Sequence, residues 1–238
     1  MTQQQHLNVR IFADGADIGA ITTLAADPTI QGFTTNPTLM RQAGVADYEV
    51  FAKEVLTIIG DRPISLEVFS DEFDEMERQA RLLASWGPNI YVKIPVTNTR
   101  GRSSASLVRT LTSDGIQVNV TALLTLEQAR EVRSALAGGA PSCVSVFAGR
   151  IADAGVDPLP IMVESLREIA SEPQIELIWA SPREVYNVVQ AHDIGCHIIT
   201  ATPDILKKLP TLGKDLGQFS LETVKMFADD ARTAGYQL

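Results

Sequence analysis

Apolar and polar positions in this chain follow two alternating rhythms. Short runs such as IYVKIPV and IELIWA are nearly continuous in apolar residues, the pattern of strands covered on both faces. Between them lie longer stretches in which apolar residues recur every three or four positions, as in an amphipathic helix. Residues 8–14, 32–35, 64–70, 90–96, 117–121, 143–148, 175–180 and 196–200 are the predicted strands. Among the intervening stretches, 71–86, 126–137 and 158–170 are the clearest predicted helices. The first has acids in its opening turn and Gly87-Pro88 past its end, and the second stops at Gly138-Gly139.

Strands separated by helical patterns imply right-handed βαβ units and a parallel sheet. Eight such units predict a closed (β/α)8 barrel. An open doubly wound sheet is the alternative, but the glycines of FADGADIGA do not fall where a dinucleotide fingerprint needs them. No linker-like or low-complexity stretch divides the 238 residues, so a single domain over 1–238 is expected. After a last barrel helix near 203–209, residues 219–234 repeat apolar positions at Phe219, Val224, Met226 and Phe227. This predicts an extra C-terminal helix, which must pack on its own barrel or on a neighbouring subunit.

The net charge of -9 argues against nucleic acid as a partner. MTQQQHLNVR has no apolar signal core and no segment has the length of a membrane span, so a cytoplasmic protein without membrane contact is expected. Cys143 and Cys196 sit in apolar runs and read as small buried hydrophobes. His6, His192 and His197 form no spaced ligand set, so no metal is expected.

In a barrel, chemistry gathers at the carboxyl ends of the strands. Polar residues interrupt the apolar runs there: Asp14, Thr34-Thr35-Asn36, Glu67, Lys93, Asn119, Thr121, Ser145, Arg150, Ser181 and Arg183. Lys93 stands between Val92 and Ile94 in a doubly covered strand, whereas the other lysines fall on helical or loop stretches. Burying an ammonium is costly, which favours the neutral amine that carbonyl chemistry needs. A purely structural ion pair with Asp14 or Glu67 is the competing reading. Either carboxylate could serve as acid/base, and Glu67 could instead point outward to the helix layer. Asn36-Pro37 reads equally as a helix cap followed by a first-turn proline. Ser181-Pro182 reads the same way, with Arg183 in the first turn. An arginine is unfavourable there for the helix dipole and so suggests an anion ligand, with Arg150 as a second guanidinium.

FADGAD, GFTTNPTLM, SLEVFS, IYVKIPV, GIQVNVTALLT, SVFAGRI, WASPR and GCHIITATP occur in this order over most of the chain. Together they resemble the transaldolase family, in the short branch that includes fructose-6-phosphate aldolases. The resemblance implies a cofactor-free enzyme with Lys93 as Schiff-base lysine and Asp14 as acid/base. Glu67 and Thr121 would hold a water. Thr35, Asn36, Asn119, Ser145 and Phe147 would line the dihydroxyacetone pocket, and Arg150, Ser181 and Arg183 would bind a distal phosphate. It further implies sugar phosphates as substrates and a homo-oligomer, a pentamer or decamer, held by the C-terminal helix. Family transaldolases tend to have Glu and Phe where this chain has Glu67 and Phe147, and the aldolases Gln and Tyr. Transfer is therefore expected over release of free dihydroxyacetone. Two departures bear on the acceptor: Pro182 replaces an aromatic residue, and TNTRGRSS at 97–104 lengthens a loop and adds Arg100 and Arg102. A sulfonated sugar is the alternative they leave open.

Overall fold

The computed structural model describes residues 7–237, so His6 lies outside the described residues. Eight parallel strands close in chain order into a barrel: β1 Arg10–Asp14, β2 Ile30–Thr34, β3 Ile64–Glu67, β4 Ile90–Pro95, β5 Val118–Leu123, β6 Ser142–Val146, β7 Ile175–Trp179 and β8 Ile198–Ala201. The helices follow in order: α1 Ile18–Ala25, α2 Pro37–Gln42, α3 Tyr48–Ile59, α4 Phe73–Ala84, α5 Ala105–Ser113, α6 Leu126–Leu136, α7 Ala148–Asp153, α8 Leu159–Ile169, α9 Tyr186–Asp193, α10 Pro203–Leu206 and α11 Leu216–Ala234. Two connections, after β2 and after β6, carry a short helix in addition to the outer one.

Strand alternation sorts the side chains into two cores. Leu66, Val92, Val120, Val144 and Leu177 belong to the larger core of strands and helices, which also takes in Val55, Ala80, Leu111 and Met162. The residues between them face the barrel axis. Phe12, Cys143, Ile178 and Ile198, with Tyr91 packed alongside, form a small apolar plug there. Gly32 makes room for it, since a Cβ at that position would lie 2.5 Å from the Phe12 ring. Below the plug, Arg10 pairs with Glu176. Both cysteines are buried free thiols, and burial pushes the Cys196 thiol up to about 12. His192 and His197 each accept a main-chain amide proton through Nδ1, from Asn8 and Leu177.

The plug fills the middle of the barrel and separates the Arg10–Glu176 pair from the upper layer, at the strands' carboxyl ends, where the other inward polar residues gather. α11 is longer than its sequence pattern suggested and buries none of its residues. Leu216, Phe219, Leu221, Val224, Met226 and Phe227 are all exposed. No helix among the described residues is long and apolar enough to cross a membrane.

Candidate active site

The upper layer is built by register. Lys93 on β4 sits beside Glu67 on β3 and Asn119 on β5, as paired Cα positions. All three side chains therefore share the inner face. Lys93 is only 6 % exposed, and its Nζ lies 3.3 Å from Glu67 Oε2 and donates to the Thr35 carbonyl at 2.8 Å. Glu67 thus points inward, not to the helix layer. Tyr48, from α3, donates its hydroxyl to the Glu67 carbonyl at 3.2 Å and packs its ring against Phe69 and Trp86.

Asp14 closes β1 on the same layer. Burial raises its carboxyl above the usual range, opposed by the Lys93 charge and by the hydroxyl of Thr34, which donates to Oδ1 at 2.7 Å. Thr34 has one proton, so the 2.6 Å contact with Thr200 requires Thr200 to donate in turn. The result is a hydroxyl chain ending on the Asp14 carboxyl. A second chain fixes the Asn119 amide. Ser145 Oγ donates to Asn119 Oδ1 at 2.7 Å, and Asn119 Nδ2 donates to Ser65 Oγ at 2.9 Å. Nδ2 keeps one hydrogen for the cavity.

Thr121 is buried, and its hydroxyl has no hydrogen-bond partner among the described residues. It sits at a bulge: Val120 pairs with Val144 but Leu123 with Val146, and Ala122 takes φ 65° between them. Bulges beside active sites re-aim side chains in this way. Thr35 enters the site by its main chain, because its own hydroxyl is spent on the Ser65 carbonyl. Asn36 caps α2 through Oδ1, accepting from Leu39 N at 3.0 Å with Pro37 in the first turn, which leaves only its Nδ2 for a ligand. Phe147 is half-buried, with the exposed Arg150 guanidinium 5.2 Å above its ring.

The expected helix start at Ser181-Pro182-Arg183 is not there. α9 begins at Tyr186, with Val185 at its cap position, and Ser181 adopts φ 59°. The left-handed turn lays the Ser181 carbonyl over Gly149, where a Cβ would meet that oxygen at 1.6 Å. The chain is therefore still irregular at Arg183, whose amide donates to Asn187 Oδ1. The dipole argument for Arg183 as an anion ligand falls with the helix start. Its guanidinium instead holds Asp153 at the end of α7.

The lengthened loop at 97–104 also uses its arginines locally. Asn98 Oδ1 accepts from the amides of Arg100 and Arg102, and Asp71 accepts from Thr99 N and Oγ1. Arg100 pairs with Glu72 at 2.6 Å, and Arg102 lies 5.1 Å over Phe73. Neither is a spare cation for the site. Of the other site residues, Ser65 was legible from alternation, two positions before Glu67. Thr34 and Thr200 needed the barrel's closure to meet, and Tyr48 gave no signal from its helix.

Comparison with known proteins agrees with this architecture. The solved 2,3-dimethylmalate lyase, a member of the PEP mutase/isocitrate lyase superfamily, aligns with TM-score 0.55 over 98% of this chain and 86% of its own. At 12% identity that likeness shows the barrel fold alone. A "Probable transaldolase 2" of Listeria monocytogenes is 34% identical over 203 residues, covering 84% of this chain and 88% of that protein. A "Probable transaldolase" of Chelativorans sp. (strain BNC1) is 35% identical over 222 residues, covering 91% and 97%. The profile of the Transaldolase/Fructose-6-phosphate aldolase family matches residues 11–238, and the chain belongs to that family.

Proposed function

We propose that the protein is a class I transaldolase, moving a dihydroxyacetone unit from a ketose phosphate to an aldose phosphate through a Schiff base on Lys93. The observation that carries this reading is a buried amine between two carboxylates in unlike environments. Glu67 is in contact with Nζ at 3.3 Å, and Asp14 sits apart on β1, raised by burial. A pure structural pair has no need of the second carboxylate, of the raised acid or of the partnerless Thr121 hydroxyl.

In this mechanism the Lys93 amine adds to the ketone carbon, and water leaves as the carbon–nitrogen double bond forms. Glu67 and Thr121 hold that water. Asp14 takes the proton of the hydroxyl on the far carbon of the bond to be cleaved, the carbon that becomes the aldehyde. The carbon–carbon bond breaks, an aldehyde departs, and its electron pair stays as an enamine on Lys93. An acceptor aldehyde then adds to the enamine, Asp14 returns the proton to the new alkoxide, and water releases the product ketose. Asn36 Nδ2, the Asn119 amide and Ser145 bind hydroxyls of the three-carbon unit, with Thr35 fixing Lys93 from its carbonyl. Arg150, Arg183 and Ser181 form the distal anion subsite. Phe147 bears on the choice of reaction, because it has no hydroxyl with which to protonate the enamine and release free dihydroxyacetone.

Fructose 6-phosphate and erythrose 4-phosphate are the test pair. Glyceraldehyde 3-phosphate is expected to appear with both present and to stay near the background with fructose 6-phosphate alone. Equal rates with and without the acceptor would favour an aldolase instead.

We also read α11 as the contact between copies in a homo-oligomer. Its exposed apolar residues are otherwise unexplained on a chain of this charge.

A further inference from the structure

The distal anion subsite contains a carboxylate. Arg183 Nε lies 2.9 Å and 3.0 Å from the two oxygens of Asp153, and a second guanidinium nitrogen closes on Oδ2. Asp153 sits in the same short helix as Arg150, one turn on, and that helix starts under the Ser181 carbonyl. The bonds from Arg183, with smaller help from Arg150, hold the Asp153 carboxyl below the usual range. It is therefore ionised at any working pH. Two guanidiniums and one carboxylate leave the subsite a single net positive charge.

We propose that Asp153 is a specificity-determining residue of this subsite. By occupying Arg183, it disfavours a doubly charged end group and suits the subsite to a singly charged one, a sulfonate or the monoanion of a phosphate ester. This rests on the transaldolase reading above. A phosphate ester binding Arg183 must share it with Asp153 or turn it away, and a dianion meets twice the repulsion that a sulfonate meets. Both partners are about half exposed, with side chains 47% and 54% accessible, so solvent screens the effect and keeps it modest.

Asp153→Asn tests this, because an amide oxygen can still accept from the guanidinium while the charge is gone. At pH 8 a sugar phosphate is mainly the dianion, its second pKa being about 6, whereas a sulfonate stays singly charged. KM is measured for fructose 6-phosphate, for its 6-deoxy-6-sulfonate analogue and for plain fructose, in both proteins. The ratio of KM for the phosphate to KM for fructose is expected to fall about two- to five-fold in the variant, the range of an exposed charge pair. The corresponding ratio for the sulfonate should fall less. An unchanged or increased phosphate ratio would overturn the proposal and leave Asp153 as a strut for Arg183. Binding of fructose 6-phosphate to Lys93→Met and to Lys93→Met/Asp153→Asn, by calorimetry, repeats the comparison without chemistry. A failed Schiff-base reading and a failed charge argument are thus told apart.

Discussion

In the proposed mechanism Lys93, Glu67 and Asp14 divide the chemistry because they sit in unlike environments. Lys93 is fixed by the Thr35 carbonyl and Glu67, while Asp14 is fixed by a hydroxyl chain from Thr34 and Thr200. Burial is the largest influence on Asp14, so its charge works against folding. A raised carboxyl contributes stability below its unfolded value and loses it as pH climbs through the folded one. Asp14→Asn is therefore expected to raise Tm at pH 7.5, by an amount that shrinks as pH falls toward the ordinary carboxylate range and is gone below it, as differential scanning calorimetry would read. The same variant should lose about 10²- to 10⁴-fold in transfer rate, the usual weight of a positioned acid/base, while still forming the adduct on Lys93. In the wild type, the acid limb of kcat should fall at a higher pH than an unperturbed aspartate would give. At this scale the sequence was informative wherever a charge interrupted an apolar run, as at Lys93, Glu67 and Asp14. It was silent where a residue meets its partner only through tertiary contact, as Tyr48, Thr200 and Asp153 do.

Among the elements, the strands were legible because doubly covered β-segments have no polar face to confuse them. The segment Ser181-Pro182-Arg183 was misread because its residue types fit a helix cap, while the actual constraint is tertiary: β7 leaves through a left-handed turn onto Gly149. Only a residue lacking a Cβ fits beneath the Ser181 carbonyl. Gly149→Ala must move main chain, costing about 1–3 kcal/mol as overpacking does, and it should displace Ser181 and Arg183 together. Its KM for fructose 6-phosphate is expected to rise more than its KM for fructose. Equal changes would mean that the turn does not form the anion subsite. The loop at 97–104 teaches the complementary point. Arg100 and Arg102 in this loop left the acceptor's anionic group open from sequence, but Asp71, Glu72 and Phe73 lie within reach and engage Thr99, Arg100 and Arg102.

For the whole molecule, the eightfold alternation already implied barrel closure, and the closed order β1 to β8 follows it strand by strand. The fate of α11 was not legible, since an amphipathic pattern says that an apolar face needs cover and not where the cover comes from. Here the face stays exposed at Phe219, Val224 and Phe227. If copies of the chain supply the cover, Phe219→Asp with Phe227→Asp should convert the oligomer to monomers in sedimentation velocity, with the barrel's circular dichroism retained. A wild-type protein that sediments as a monomer, or a variant of unchanged mass, would contradict the assembly reading.

The most direct test of the central claim is chemical trapping. Incubation with fructose 6-phosphate followed by sodium borohydride should leave a reduced three-carbon adduct, located by peptide mass spectrometry on Lys93 and absent from Lys93→Met. A transfer-active protein that shows no adduct, or one modified at another lysine, would contradict the account.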